Sequence, residues 1–306
     1  MEYDGDGTVK KSSDHGVSWK IMYNMKTPPW NARICFVDSK NRLFVGGRNG
    51  AIYRSMDDGN SFHAVLRPSP PERYDEAWRM VEAPNNDLYI GMHINPPEVW
   101  KSNDGGSAWH IVGDESDFGS IDSIGGNDIN GLDVNQNTGW IYVVPDTGDD
   151  AGIYRSKDGG DTWMHLTNDH EYRLTVVSYD SEKIFVTGEA WGKNKIGYIV
   201  DDGTDTLKDI TTVYQSPYEA RPFIWGRVIY SNGVKQLWFG SGATGRLDNR
   251  SDSELIYSED GGQSWEQVLI KTNSRGRTSF YYATSHPQRG GYLYVSGEDN
   301  STRIAH

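Results

Sequence analysis

An eight-residue pattern, Ser-x-Asp-x-Gly-x-Ser/Thr-aromatic, recurs along this chain of 306 residues. A pattern repeated at this spacing restricts the fold to one built from copies of a small unit. It occurs at Ser12–Trp19, Ser55–Phe62, Ser156–Trp163 and Ser258–Trp265. Ser102–Trp109 departs only at its seventh position. Val200–Leu207 is an eroded copy that keeps the aspartate, a glycine and the threonine.

Six short strands that alternate apolar and aromatic residues run in phase with it. They are Leu43-Phe44-Val45, Leu88-Tyr89-Ile90, Ile141-Tyr142-Val143, Ile184-Phe185-Val186, Leu237-Trp238-Phe239 and Leu293-Tyr294-Val295. A further strand, such as Ile52-Tyr53-Arg54 or Ile153-Tyr154-Arg155, leads into most copies of the turn. The 35 glycines, 18 tyrosines and 11 tryptophans suit many short strands joined by tight turns. These observations predict an all-β chain, a six-bladed β-propeller of four-stranded antiparallel blades, forming a single domain over residues 1–306. The last alternating strand has no turn copy after it, and the copy at Ser12 is left over, with no alternating strand of its own. Residues near 8–24 are therefore expected to complete the blade begun near 278–297. The ring is then closed by N- and C-terminal strands sharing one blade, which removes a free sheet edge.

The aspartates of the turn, Asp14, Asp57, Asp104, Asp158 and Asp260, are expected to accept hydrogen bonds from turn amides and to carry no chemistry. Chemistry is expected instead where the innermost strands begin. Arginines stand at or near those entrances: Arg33, Arg79, Arg173, Arg227 and Arg277. Guanidinium forks converging there would clamp a carboxylate or sulfate. Trp78, Trp225 and Trp30, each just before or at an inner strand, are placed to stack on sugar rings. Residues 114–133 form a long acidic lead into the third inner strand. They supply Asp128 as a candidate acid or base, and an oxygen-rich set that could hold Ca²⁺, without the spacing of a helix–loop–helix calcium site. His93 and His286 fall in different repeats without zinc-ligand spacing and are assigned no role.

The turn motif and its strands resemble the Asp-box (BNR-repeat) β-propellers of the sialidase-like superfamily. That group includes sialidases, other glycoside hydrolases, sortilin-type receptors and photosystem assembly factors. Arg33-Ile34-Cys35-Phe36-Val37, followed by Leu43 to Arg48, resembles the sialidase segment in which an Arg-Ile-Pro opens the first inner strand, with Cys35 in place of the proline. By this resemblance Arg33 is the first of three arginines gripping a substrate carboxylate, and Arg173, Arg227 and Arg277 are candidates for the others. Tyr281 or Tyr282 is then the nucleophile and Glu171 its activating base. The loop after Arg48 is too short to carry the acid/base aspartate, which leaves Asp128 as the stand-in.

The net charge of −13 excludes a phosphate backbone as natural partner. No apolar run reaches the length of a membrane span. The single cysteine, Cys35, cannot form an intrachain disulfide and is expected to be an inert strand thiol. The resulting expectation is a monomeric, carbohydrate-active propeller, a sialidase-like glycoside hydrolase for an anionic glycan, placed outside the cell or at its surface. The alternative is a non-catalytic propeller that binds glycans or docks a protein.

Overall fold

The computed structural model describes residues 2–4, 8–13, 18–24, 32–47, 50–67, 76–94, 96–119, 128–146, 151–169, 171–172, 174–190, 193–217, 223–231, 233–241, 253–271, 279–286, 289–298 and 302–305. The chain forms two compact units, Met1–Met164 and His165–His306.

In the N-terminal unit, β1 (Glu2–Asp4), β2 (Thr8–Lys11) and β3 (Lys20–Asn24) make a three-stranded sheet. Four-stranded sheets follow: β4 (Ala32–Val37), β5 (Leu43–Gly47), β6 (Ile52–Ser55) and β7 (His63–Leu66), then β8 (Glu76–Glu82), β9 (Leu88–His93), β10 (Glu98–Ser102) and β11 (His110–Gly113). After the single helical turn α1 (Glu115–Phe118) come β12 (Ile129–Val134), β13 (Ile141–Pro145), β14 (Tyr154–Ser156) and β15 (Met164–His165), the last lying on the boundary between the units.

The C-terminal unit continues with β16 (Thr175–Ser178), β17 (Lys183–Ala190), β18 (Lys193–Val200) and β19 (Thr211–Gln215). Next are β20 (Phe223–Ser231), β21 (Val234–Ser241), β22 (Ser253–Ser258) and β23 (Glu266–Lys271). The chain ends in a three-stranded sheet of β24 (Ser279–His286), β25 (Arg289–Glu298) and β26 (Thr302–Ala305). Every described pairing joins sequence neighbours in antiparallel order. This nearly all-β succession of four-stranded meanders is the blade pattern of a six-bladed β-propeller.

The chain ends differ from expectation. They were assigned to one shared blade, but the described pairings keep them in separate sheets. β26 pairs with β25, from Val295↔Thr302 to Tyr292↔Ala305, the edge that β2 was expected to fill. A strand that follows its partner by a short loop closes with little loss of chain entropy.

The alternating strands bury their large side chains. Phe44, Ile52, Leu88 and Ile90 share one core of the N-terminal unit, while Phe118, Ile129, Val143 and Tyr154 share another. In the C-terminal unit Phe185, Phe223, Phe239 and Ile256 pack together, with the Trp265 ring 5.8 Å from Phe239.

The turn motif works as its chemistry demands. Ser55 Oγ donates to Asp57 Oδ1 at 2.8 Å and accepts the Gly59 amide at 2.8 Å. Asp57 accepts the Ser61 amide at 2.8 Å and the Ser61 hydroxyl at 2.6 Å. The copies at Asp158 and Asp260 repeat these contacts. At Asp104 the seventh-position hydroxyl is lost to Ala108, whose amide still donates at 2.9 Å, while the Ser102 hydroxyl bond at 2.8 Å is kept. In the eroded copy Lys208 Nζ donates to Asp202 at 2.6 Å, and Leu207 stands 57% exposed where the other copies place an aromatic residue. Asp14 lies outside the described residues.

Candidate functional site

Five inner strands share one irregularity near their start. In β4, β8, β12, β20 and β24 an extra residue is inserted against the partner strand: Arg33, Trp78, Asn130, Ile224 and Tyr281. A bulge of this kind bends the strand, leaves one residue outside the ladder and re-aims its side chain. The residue after it sits opposite Gly46, Gly91 or Gly240 in three of the five strands. At Gly240 the reason is contact: a Cβ there would lie 2.3 Å from the Trp225 ring.

The N-terminal unit carries the most developed group of side chains. β8 packs beside both β4 and β12, so Arg33, Trp78 and Asn130 belong to three neighbouring inner strands. Trp78 Nε1 donates to Glu76 Oε2 at 2.8 Å, and Glu76 is only 5% exposed. The Trp78 ring stacks on His93, with centroids 4.9 Å apart and planes 23° from parallel. The Arg79 guanidinium lies 5.8 Å from the Trp78 ring centroid, and its Nη1 donates to the Trp78 carbonyl at 3.1 Å.

His93 ends β9 opposite Glu76 and forms a lone bridge with Asp128, just before β12. His93 Nδ1 is 2.8 Å from Asp128 Oδ2, although the approach lacks hydrogen-bond alignment and Nδ1 is buried. The Asp128 carbonyl accepts the Asp146 amide at 2.8 Å. Glu76, Trp78, His93 and Asp128 thus form a continuous chain across two sheets. The Asp128 side chain keeps 16% of its surface open and that of His93 keeps 32%.

The sequence alone assigns His93 no role. Its sequence neighbours carry no signal, and only the pairing register brings it to Trp78 and Asp128. Asn130, in the bulge next to Asp128, was also missed, because a bulge has no composition of its own.

The C-terminal unit assembles less of the expected set. Trp225 is a correction: it is 5% exposed and packs in the core with Ile229, Trp238 and Leu255, so it offers no face to a sugar. The bulge falls on Ile224, one residue earlier, and Trp225 returns to the ladder opposite Gly240, with Ile224 and Trp225 lying in the same buried cluster. Arg227 is exposed in the middle of β20, opposite Trp238, rather than at the strand's entrance. Glu171 is exposed and ion-paired with Lys195, whose ammonium is stabilised by that hydrogen bond and pushed up. Tyr281 and Tyr282 lie in β24, Tyr281 at the bulge, and only their backbone is described. The same holds for Arg33 in β4. Arg173, Arg277 and Trp30 lie outside the described residues.

Nearby, Glu254 is fully buried yet richly bonded. It accepts from Asn194 Nδ2 at 2.7 Å, Ser216 Oγ at 2.8 Å, Tyr214 Oη at 3.0 Å and Gln267 Nε2 at 3.2 Å. Burial, and then the Glu254 charge, push the Tyr214 phenol well above its ordinary range.

The acidic lead into β12 begins as a capped turn. Asp114 caps α1 by accepting the Ser116 amide at 2.8 Å, and the Asp117 carboxylate in turn accepts the Asp114 amide. Phe118 is fully buried beneath it. Among the described residues no group of three His, Cys, Asp or Glu side chains could hold a metal ion. Among them, too, no helix is long and apolar enough to cross a membrane. At the opposite end of β9 a cleft of about 410 Å³ is lined by Asp87, Tyr89, Lys101, Thr138, Lys157 and Asp158. Its Lys101 is already held by Asp87 at 3.2 Å and by the Gly159 carbonyl at 3.2 Å.

No protein-family model matches the chain. A xyloglucanase of Paenibacillus sp is 36% identical over 180 residues, which is 57% of this chain and 17% of that protein. The chain therefore spans under a fifth of the length of that relative. Among solved structures, YCF48 from Cyanidioschyzon merolae superposes with a TM-score of 0.58 at 16% identity, covering 96% of this chain and 87% of its own. The GH74 xyloglucanase from Xanthomonas campestris gives a TM-score of 0.53 at 18% identity, covering 74% of this chain and 36% of its own. Both structures are β-propellers, and at these identities the likeness is one of fold.

Proposed function

We propose that the chain is a carbohydrate-active propeller of the glycoside-hydrolase kind, taking its glycan at the inner-strand entrances of the N-terminal unit. The observation that carries this reading is the chain from Glu76 through Trp78 and His93 to Asp128. An aromatic ring placed outside the ladder by a bulge is a natural partner for the apolar C–H face of a sugar. Beside it stands a partly open carboxylate. Hydrolysis of a glycosidic bond needs a carboxyl group that can reach the bond, and a second one across from it. Asp128 meets the first requirement. Glu76 is engaged with the indole and serves as the ring's anchor. The identity shared with a Paenibacillus xyloglucanase supports a glycan as ligand. Membership of the sialidase-like Asp-box superfamily, a monomeric state and a place outside the cell or at its surface belong to the same reading.

A second reading, preference for an anionic glycan, draws on Arg33 and Arg79, which lie on adjacent inner strands. A guanidinium there would bind a sugar carboxylate in a fork. Titration calorimetry and sugar release with xyloglucan oligosaccharides and with sialosides separate the two readings. Trp78→Ala and Asp128→Asn are each expected to weaken glycan binding roughly tenfold or more, and Asp128→Asn in addition to abolish release. Glycan binding without release by the wild-type protein would support the non-catalytic module. Equal binding by wild type and Trp78→Ala would sink the placement of the site.

A further inference from the structure

We infer that His93 is a positioning residue that holds Trp78 and Asp128, one from each of two neighbouring sheets, in a single fixed geometry. The need for such a residue follows from the bulge. Trp78 lies outside the β8–β9 ladder, between Ala77↔Met92 and Arg79↔Gly91, so strand pairing does not fix its ring. Glu76 holds only the Nε1 edge. The ring face is held by the His93 imidazole, stacked at 4.9 Å.

Asp128 poses the same problem on the next sheet. It precedes β12, and its backbone is set by the bridge to His93 and by the Asp146 amide. Its carboxylate lies 2.8 Å from His93 Nδ1. One imidazole therefore touches the ring that would receive a sugar and the carboxylate that would face its linkage. Charged groups near it include Glu76, opposite it in the ladder, and Arg79, beside the indole. A residue that only filled space would be replaced equally well by any ring of similar size. A positioning residue needs both its face and its nitrogen, which is where the two accounts divide.

The site's ligand is taken from the glycan reading above; the positioning role is tested without it. Near-ultraviolet circular dichroism of Trp78 is obtained by subtracting the spectrum of Trp78→Phe in each background, with far-ultraviolet spectra confirming that each variant folds. His93→Asn is expected to lose the Trp78 band, and His93→Phe to keep it. Asp128→Asn is expected to alter the band in the wild-type background and to leave it unchanged in His93→Phe, because the relay through the imidazole is gone. Should His93→Asn fail to fold, this last comparison decides alone. A Trp78 band that is the same in wild type, His93→Asn and Asp128→Asn overturns the inference. Affinity for a xyloglucan heptasaccharide gives the second arm: the losses from Trp78→Ala and Asp128→Asn are expected to be coupled by roughly tenfold with His93 present and to add independently in His93→Phe. Equal coupling in both backgrounds overturns the inference, whereas a wild-type protein that binds no glycan counts against the functional reading and leaves the spectra to judge His93.

Discussion

Asp57 shows what one carboxylate does for this fold. The Ser61 hydroxyl and amide, then the Ser55 hydroxyl, hold its carboxyl down to about 2. Because the folded value lies below the ordinary 3.8, the ionised group stabilises the fold above about pH 4, and that contribution is lost as the pH falls from about 4 towards 2. Asp57→Asn is expected to lower the urea midpoint at neutral pH and to flatten the acid limb of stability between about pH 4 and 2. Acid limbs that coincide in wild type and variant would contradict this. The turn aspartates were legible in the sequence because motif and chemistry coincide within eight residues. The register of the inner strands was not. Trp225 and Ile224 differ by one position, and no local property of either says which of them leaves the ladder.

Between elements, a basic side chain of one sheet caps the next sheet's turn. Arg54 Nη1 donates to the Gly105 carbonyl at 2.7 Å, Lys101 Nζ to Gly159 at 3.2 Å and Lys183 Nζ to Gly261 at 2.6 Å. Gly105, Gly159 and Gly261 occupy the same position of the motif, all at positive φ. Lys183 also lies 4.1 Å from the Tyr198 ring centroid. Replacing it by methionine keeps the aliphatic stem but removes the charge and the donor. Lys183→Met is expected to cost about 1–2 kcal/mol in urea unfolding, and a loss within error would show the contact to be incidental. Strand alternation and turn placement could be read from the chain, since both are local. These caps could not, because they depend on which sheet lies beside which. The bonds that Asn194, Tyr214 and Ser216 of one sheet give to Glu254 of the next were hidden for the same reason.

For the molecule as a whole, the repeat announced the propeller and its antiparallel meanders, and the structure has them. The shared terminal blade was an inference from phase alone. Phase says that strands are missing at each end but not which edge captures them, and β26 pairs with the strand just before it. Charge acts at this scale too. With 43 acidic and 30 basic residues, the surface is expected to show no mobility shift with duplex DNA at physiological salt, and a shift there would reveal a basic face that composition conceals.

The recurring bulge has a consequence for how such a chain can change. Positions 33, 78, 130, 224 and 281 are each supernumerary to the ladder, so the residue there is released from the hydrogen-bonding register that its neighbours must obey. They now hold arginine, tryptophan, asparagine, isoleucine and tyrosine, five different chemistries on one backbone device. Of the three whose side chains are described, Asn130 and Ile224 are buried and Trp78 is half-buried, so position 78 is where an exchange changes what the strand presents while the ladder around it stays in place. A side chain can be exchanged there without disturbing the strand pairing of its neighbours.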